Sequence, residues 1–322
     1  MGVSKATLGE PLVAKAMIQG GVKFIADSRL ENIQKMKEAG ISIPFVLLRT
    51  ALSQAESVVR DVDISLNTEI DVIRALSRYA KAQKKNHKII LMVEMGDLRE
   101  GIAPIDLPLL VKTTLALPNI QIAGIGTNLA CYGGIKPDAR IMNNLSKIAE
   151  SIERDFQISL EIVSGGNSAN YKWLQSTKNV GRINNLRIGE SILLGHETIN
   201  HERIPGLHTD AFKLVAEVIE LKNKPSLPFG EISKNAFGEV PVFIDRGIRQ
   251  RAIIALGRQD VLVSGLEPEA NLEILGSSSD HLILDSQNSD IKVGDEVNFA
   301  LDYGSLLSAM TSPYVKKQFV DG

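Results

Sequence analysis

Over the first 195 residues, short apolar runs rich in Val and Ile alternate with longer segments whose apolar residues recur at spacings of three and four. The first kind predicts buried parallel strands and the second amphipathic helices. Eight strands are predicted: Gly2–Lys5, Lys23–Asp27, Pro44–Arg49, Asp63–Asn67, Lys88–Glu94, Gln121–Asn128, Ser159–Gly165 and Asn185–Gly189. Leu30, Ile33 and Met36 give one helix its inner face, and Ile70, Ile73 and Leu76 the next. A longer helix is lined by Ile141, Leu145, Ile148 and Ile152. Ahead of it, Lys136-Pro137-Asp138 supplies the proline and the acid that open a helix. A parallel sheet needs helical crossovers and burial of both faces, so eight βα units predict a closed (β/α)8 TIM barrel. An open doubly wound sheet gives the same alternation, and the count of eight favours the barrel.

The pattern changes near Ile204-Pro205-Gly206. Beyond it, strands are expected without helices between them, at Phe212–Lys222, Pro241–Arg246, Ala252–Gly257, Leu272–Leu275, His281–Asp285 and Glu296–Leu301. Gly276-Ser277 and Gly294-Asp295 read as turns. The expected organisation is a barrel over residues 1–206 and a mostly β domain over 207–322. The first strand opens abruptly, with almost nothing ahead of it.

Composition narrows the class of function. The 322 residues are 44% hydrophobic and 23% charged, which excludes a disordered chain. Lys+Arg number 36 and Asp+Glu 38, a formal charge of -2, so no basic footprint points to nucleic acid. No apolar run is long enough to suggest a membrane helix. The single cysteine, Cys131, excludes an internal disulfide framework and a multi-cysteine metal site. Met1 to Thr7 do not read as a secretory signal, and Val320-Asp321-Gly322 is no prenylation motif. A cytoplasmic location is expected.

In such barrels the chemistry lies at the carboxyl ends of the strands, and phosphate is often held after strands seven and eight. Here those ends form a polar ring: Lys5, Asp27-Ser28-Arg29, Arg49, Asn67, Glu94, Thr127-Asn128, Gly165-Gly166-Asn167-Ser168 and Arg187-Ile188-Gly189. The glycines free backbone N–H groups for an anion, and Ser168 adds a hydroxyl. The same residues also read as a plain turn and N-cap. Lys5 ends an apolar strand, where burial lowers an amine's pKa and makes it a nucleophile. A solvated strand-end lysine is the plainer alternative. Lys5, a phosphate cradle and Arg187 together suggest pyridoxal 5'-phosphate (PLP).

Several segments carry a resemblance. They are Gly2-Val3-Ser4-Lys5, Asp27-Ser28-Arg29-Leu30-Glu31-Asn32, Gly96-Asp97-Leu98-Arg99-Glu100-Gly101 and Gly126-Thr127-Asn128-Leu129-Ala130-Cys131-Tyr132-Gly133-Gly134. Further along stand Ser164-Gly165-Gly166-Asn167-Ser168, Leu186-Arg187-Ile188-Gly189-Glu190, Gly257-Arg258-Gln259-Asp260, Ser278-Ser279-Asp280-His281 and Leu301-Asp302-Tyr303-Gly304. In this order, over nearly the whole chain, the sequence resembles the PLP-dependent alanine-racemase-type (fold type III) enzymes. Within them it is similar to the predicted amino-acid racemases that include ornithine racemase. The resemblance implies that Lys5 is the Schiff-base lysine and one acid/base, and that Arg187 faces the pyridine nitrogen. It implies that Asn167, Ser168, Gly189 and Glu190 hold the phosphate, with Tyr314 reaching it from the C-terminal end. Arg99 then lies near the substrate carboxylate, and Asn128 stands where alanine racemases carry a histidine. It further implies a homodimer in which one subunit's β domain completes the other's site.

Two departures bear on the chemistry. Alanine racemases carry a tyrosine four residues after the lysine, where this chain has Gly9, and their opposite-face base is a tyrosine of the β domain. The nearest region here, Phe243-Ile244-Asp245-Arg246-Gly247, has none. Racemisation needs a second proton donor, and by residue type Asp245, Asp280, His281 and Tyr303 are candidates, with Asp280 and His281 preferred. Cys131 and Trp173 read as packing residues, and Asp97 and Glu190 as acids that could meet a distal ammonium. The expected function is an amino-acid racemase acting on ornithine, lysine or alanine. A PLP-binding homeostasis protein without turnover and a fold-type-III decarboxylase remain as alternatives. Against the first stands the β domain after Gly206. Against the second stands the lack of a cysteine in that domain.

Overall fold

A computed structural model describes residues 1–287 and 289–320. The chain divides into two compact units, Met1–Thr209 and a second from Asp210 on.

The first unit is a barrel of parallel strands laid down in chain order. β1 (Gly2–Val3), β2 (Ile25–Asp27), β3 (Phe45–Leu47), β4 (Ile64–Asn67), β5 (His87–Met92), β6 (Ile120–Gly126) and β7 (Ile162–Ser164) pair each with the next. Between them run α1 (Pro11–Gln19), α2 (Leu30–Glu38), α3 (Ala55–Asp61), α4 (Ile70–Ala82), α5 (Leu107–Leu115) and α6 (Ala139–Phe156). The short helices α7 (Tyr171–Ser176) and α8 (Glu190–Leu194) follow β7. Strand alternation sorts the side chains. Val3, Ala26, Val46, Ile64, Leu66, Ile90, Met92 and Ile162 fill the interior. The intervening Ser65 and Asn67 face the helix layer, where Ser65 Oγ meets His87 Nε2 at 2.8 Å. Asp138 caps α6 by accepting from the Ile141 N–H at 2.7 Å, as the Lys-Pro-Asp signal predicts.

The predicted eighth strand, Asn185–Gly189, forms no continuous strand. It closes the barrel through two isolated bridges, Gly2 with Ile188 and Ser164 with Asn185. Val3 N–H donates to Ile188 O at 2.8 Å, and Ile188 N–H to Met1 O at 2.9 Å. The ladder is interrupted because Arg187 N–H donates to Gly166 O, past the end of β7.

The second unit is an antiparallel sheet. β8 (Leu214–Pro225), β9 (Ile248–Ile254), β10 (Leu266–Pro268), β11 (Glu273–Ser277), β12 (Leu282–Asp285) and β13 (Glu296–Leu301) take the order β10-β13-β8-β9-β12-β11. Val218, Ala252, Ile254, Leu282, Leu284 and Phe299 form its core. One predicted strand is corrected here, and two elements are added. Pro241–Arg246 is not a strand, because Pro241 lacks an N–H and Asp245 turns the chain by accepting from Gly247 N–H at 2.9 Å. Its apolar residues face solvent, Val242 at 90% exposure. β10 was not foreseen. Nor was α9 (Tyr303–Thr311), in a unit that is otherwise mostly strands. The cap is Asp302, which accepts from Ser305 N–H at 2.7 Å, and Leu306 and Ala309 are the buried face.

Candidate functional site

Lys5 stands just past β1, as the first residue of a short 3-10 turn over Lys5–Thr7. The exit from β1 is fixed from beneath. Ser4 Oγ donates to Asp27 Oδ2 at 2.7 Å, and Asp27 Oδ1 accepts from Arg29 N–H and Asn32 Nδ2, each at 2.9 Å. Asp27 is fully buried, which pushes its carboxyl above the usual range, against the pull of those hydrogen bonds. Burial lowers the Lys5 ammonium below its ordinary value, opposed by Cys131 and aided by Arg99. That is the state a nucleophilic amine requires.

Arg187, 6% exposed, enters the same end of the barrel from the closing segment. One nitrogen donates to Ser164 Oγ at 2.6 Å and another to Thr127 O at 2.7 Å and Asn128 Oδ1 at 3.2 Å. These acceptors are neutral, and burial brings the guanidinium down to about 10. Asn128, 8% exposed, is thereby tied to Arg187, while its Nδ2 has no partner among the described residues. Asn167 spends its amide nitrogen on Asn128 Oδ1 (3.0 Å) and Leu129 O (2.8 Å), and its Oδ1 accepts from Ala169 N–H at 2.8 Å. Its side chain thus ties two loops together rather than standing open.

The turn after β7 needs its glycine. Gly166 has φ 140°, and a Cβ there would lie 2.2 Å from Asn170 Oδ1, the atom that caps Asn167 N–H. Ser168, buried, accepts from Ser191 N–H at 3.2 Å in the first turn of α8, whose N-cap is Gly189 and whose first residue is Glu190. The loops after strands seven and eight are joined at this bond. Beside it Ser191 Oγ is buried without a partner among the described residues. An unoccupied buried hydroxyl, a serine and a helix start are donors suited to a phosphate.

The loop after β5 brings Arg99 to the mouth, paired with Glu100, whose hydrogen bond holds the guanidinium above its ordinary range. Glu100, which pairs with Arg99 there, was not singled out by sequence reasoning, since one acid in a charged loop carries no spacing signal. Asp97 is not available to a substrate ammonium. It is 2% exposed and accepts from the N–H groups of Cys131 and Tyr132. Cys131 is not a packing residue either. It is exposed, and Asn167 Nδ2 approaches its Sγ at 3.4 Å. Trp173 is buried as expected.

The remaining candidates lie in the second unit. His281 Nδ1 and Asp280 Oδ1 are 2.7 Å apart on an exposed turn, and that hydrogen bond lowers the Asp280 carboxyl. Ser278 Oγ also donates to Asp280, at 3.1 Å. Asp245 anchors its own turn, Tyr303 begins α9, and Tyr314 is exposed beyond that helix.

Residues 1–196 match the family model described as alanine racemase, N-terminal domain. Over 313 residues the chain is 44% identical to an ornithine racemase of Acetoanaerobium sticklandii, covering 96% of this chain and 88% of that one. Over 322 residues it is 41% identical to a lysine racemase of Thermotoga maritima, covering 99% and 90%. Among solved structures, an alanine racemase from Streptomyces lavendulae superposes with a TM-score of 0.75 at 16% identity, over 96% of this chain and 87% of that one. An alanine racemase of Clostridium difficile gives 0.71 at 18%, over 95% and 85%. At such identities the structures speak for the fold.

Proposed function

The chain belongs to the alanine racemase family, and from that premise we propose that it is a PLP-dependent amino-acid racemase whose substrates are ornithine and lysine, with alanine the lesser. The observation that carries the proposal is the convergence, at one end of one barrel, of a desolvated Lys5, a buried Arg187 with neutral partners and the joined Ser168–Ser191 turn. Ser191 Oγ and Asn128 Nδ2, buried and without a partner among the described residues, support a bound polar group there.

In this reading Lys5 holds the cofactor's aldehyde carbon. Ser168, Ser191 and the Gly189-Glu190 backbone take its phosphate, and Asn167 fixes the loop that presents Ser168. Arg187 would be placed toward the pyridine nitrogen, where its positive charge would disfavour protonation of that nitrogen. Bound there, PLP supplies an electron sink that makes an amino acid's α-proton acidic. Arg99 orients the substrate carboxylate. Lys5 moves a proton at its Nζ on one face, the burial-lowered pKa leaving more of it as free amine. The Asp280–His281 pair is the proposed proton donor for the other face, contributed by the second unit of a partner in a homodimer. Asp280 orients the imidazole and His281 carries the proton.

The test is purified protein incubated with PLP and reduced with borohydride, wild type beside Lys5→Ala, then given L-ornithine, L-lysine and L-alanine in deuterated water. Covalent capture of PLP on Lys5 and α-proton exchange with inversion are expected. Capture without exchange would move the protein to the non-catalytic PLP carriers, and no capture would remove Lys5 from its role.

A further inference from the structure

The loop after β5 is clamped at its ends and middle. Glu94 N–H donates to Ile102 O at 2.9 Å and Ile102 N–H to Met92 O at 2.8 Å, so both ends sit on the strand. Gly101 has φ 153°, and a Cβ there would lie 2.4 Å from the Glu94 nitrogen, so only glycine lets the two ends meet. In the middle, buried Asp97 takes the Cys131 and Tyr132 N–H groups, and its carbonyl accepts Gly133 N–H at 3.0 Å. The clamp continues inward, from Cys131 Sγ through Asn167 and Asn128 to Arg187. Outside that clamp stand two adjacent side chains of opposite charge, Arg99 and Glu100, 42% and 33% exposed. They pair with each other, with Arg99 Nη2 2.6 Å from Glu100 Oε1. The Glu100 charge opposes the burial that lowers Arg187, and the Arg99 charge adds to the burial that lowers Lys5, as charges in the same mouth should.

We propose that Glu100 is the residue that selects substrates with a distal ammonium, by exchanging its ion pair with Arg99 for one with the substrate. A diamino acid brings a carboxylate for Arg99 and an ammonium for Glu100, so both internal charges find new partners. An amino acid with an apolar side chain takes Arg99 away and leaves Glu100 alone in a half-buried mouth. The selection therefore contains a penalty against the wrong substrate as well as a contact to the right one. The other acids of the loop, Glu94 and Asp97, are already bound to backbone, Glu94 to the Gly96 N–H and Asp97 to those of Cys131 and Tyr132.

The proposal rests on the racemase reading, and the experiment separates the two. PLP-loaded wild type, Glu100→Gln and Glu100→Asp are compared on L-ornithine against L-norvaline, and on L-lysine against L-norleucine, which lack only the distal amine. Proton exchange in deuterated water gives kcat/KM for each. The diamino-to-apolar ratio should fall about 10- to 100-fold in Glu100→Gln and by less in Glu100→Asp, the scale of one charge-assisted hydrogen bond. An unchanged ratio, or equal loss on both members of each pair, would overturn the role of Glu100. If wild type exchanges no amino acid, the racemase reading falls, and equilibrium dialysis of the same proteins still decides. Preferential retention of ornithine over norvaline that Glu100→Gln abolishes upholds the selection, and equal retention ends it.

Discussion

His87 should make the barrel sensitive to mild acid. Its ring is 2% exposed in the helix layer, bonded to Ser65 Oγ at 2.8 Å, and burial pushes its pKa from 6.5 down to about 4. The unfolded chain therefore takes up this proton first. Stability from the neutral ring is fully present above pH 6.5, is lost as pH falls toward 4, and changes no further below that. At about 1.4 kcal/mol for each factor of ten, the gap amounts to about 3 kcal/mol, a large share of an ordinary domain's stability. His87→Gln keeps an amide to meet Ser65 and does not titrate. Urea unfolding can be followed by the fluorescence of Trp173, the sole tryptophan, which lies buried in the barrel unit. The wild type should weaken relative to His87→Gln by about 3 kcal/mol between about pH 7 and pH 4. Parallel curves for the two proteins across that window would refute the reasoning, since the ring would then titrate alike folded and unfolded.

Three further outcomes are expected. Gly166→Ala should cost about 2 kcal/mol or more, from an unfavourable φ and a Cβ driven onto Asn170, and should weaken PLP retention on gel filtration; a protein that melts and binds like the wild type would contradict the cap geometry. Asp138→Ala removes the α6 N-cap bond and should cost about 1 kcal/mol in urea unfolding, with amino-acid exchange preserved. Acylation of Lys5 in the PLP-free protein, read by mass spectrometry against pH, should reach half its plateau rate below pH 10.5, because burial disfavours the ammonium; a midpoint at or above that value would place Lys5 in water.

The barrel was legible because its strands are short runs whose inward-facing residues are apolar. Ile64 and Leu66, or Ile90 and Met92, face an interior that only such residues can fill. The last stave was legible as a position but not as a strand, because Arg187 sends its N–H to Gly166 and breaks the ladder. In the second unit, Pro241-Val242-Phe243-Ile244 reads as a strand by composition, yet it faces solvent. Helix α9 carried a usable sign, an Asp three residues before a Ser and ahead of Leu306 and Ala309, that strand-like neighbours obscured. Lys5, Ser168 and Arg187 could be picked out as the ends of predicted strands. The duties of Asp97 and Asn167 could not, since a side chain that satisfies another loop's backbone leaves no pattern along its own. Glu100 was hidden for a related reason: its pairing with the adjacent Arg99 leaves no spacing along the chain.

The closing segment sets the order in which the site comes into being. The Met1 nitrogen donates to Leu186 O at 2.9 Å, a contact spanning 185 positions of sequence. Lys5 leaves the ribosome early, and Arg187 and the Ser191 turn emerge only when nearly the whole barrel has been synthesised. Long-range closures of this kind come late in folding, after the local βα units have formed. A nascent or half-folded chain thus carries Lys5 in water, without the burial that lowers its ammonium and without the groups that surround it in the closed barrel. Competence arrives in one step, when the two ends of the barrel meet.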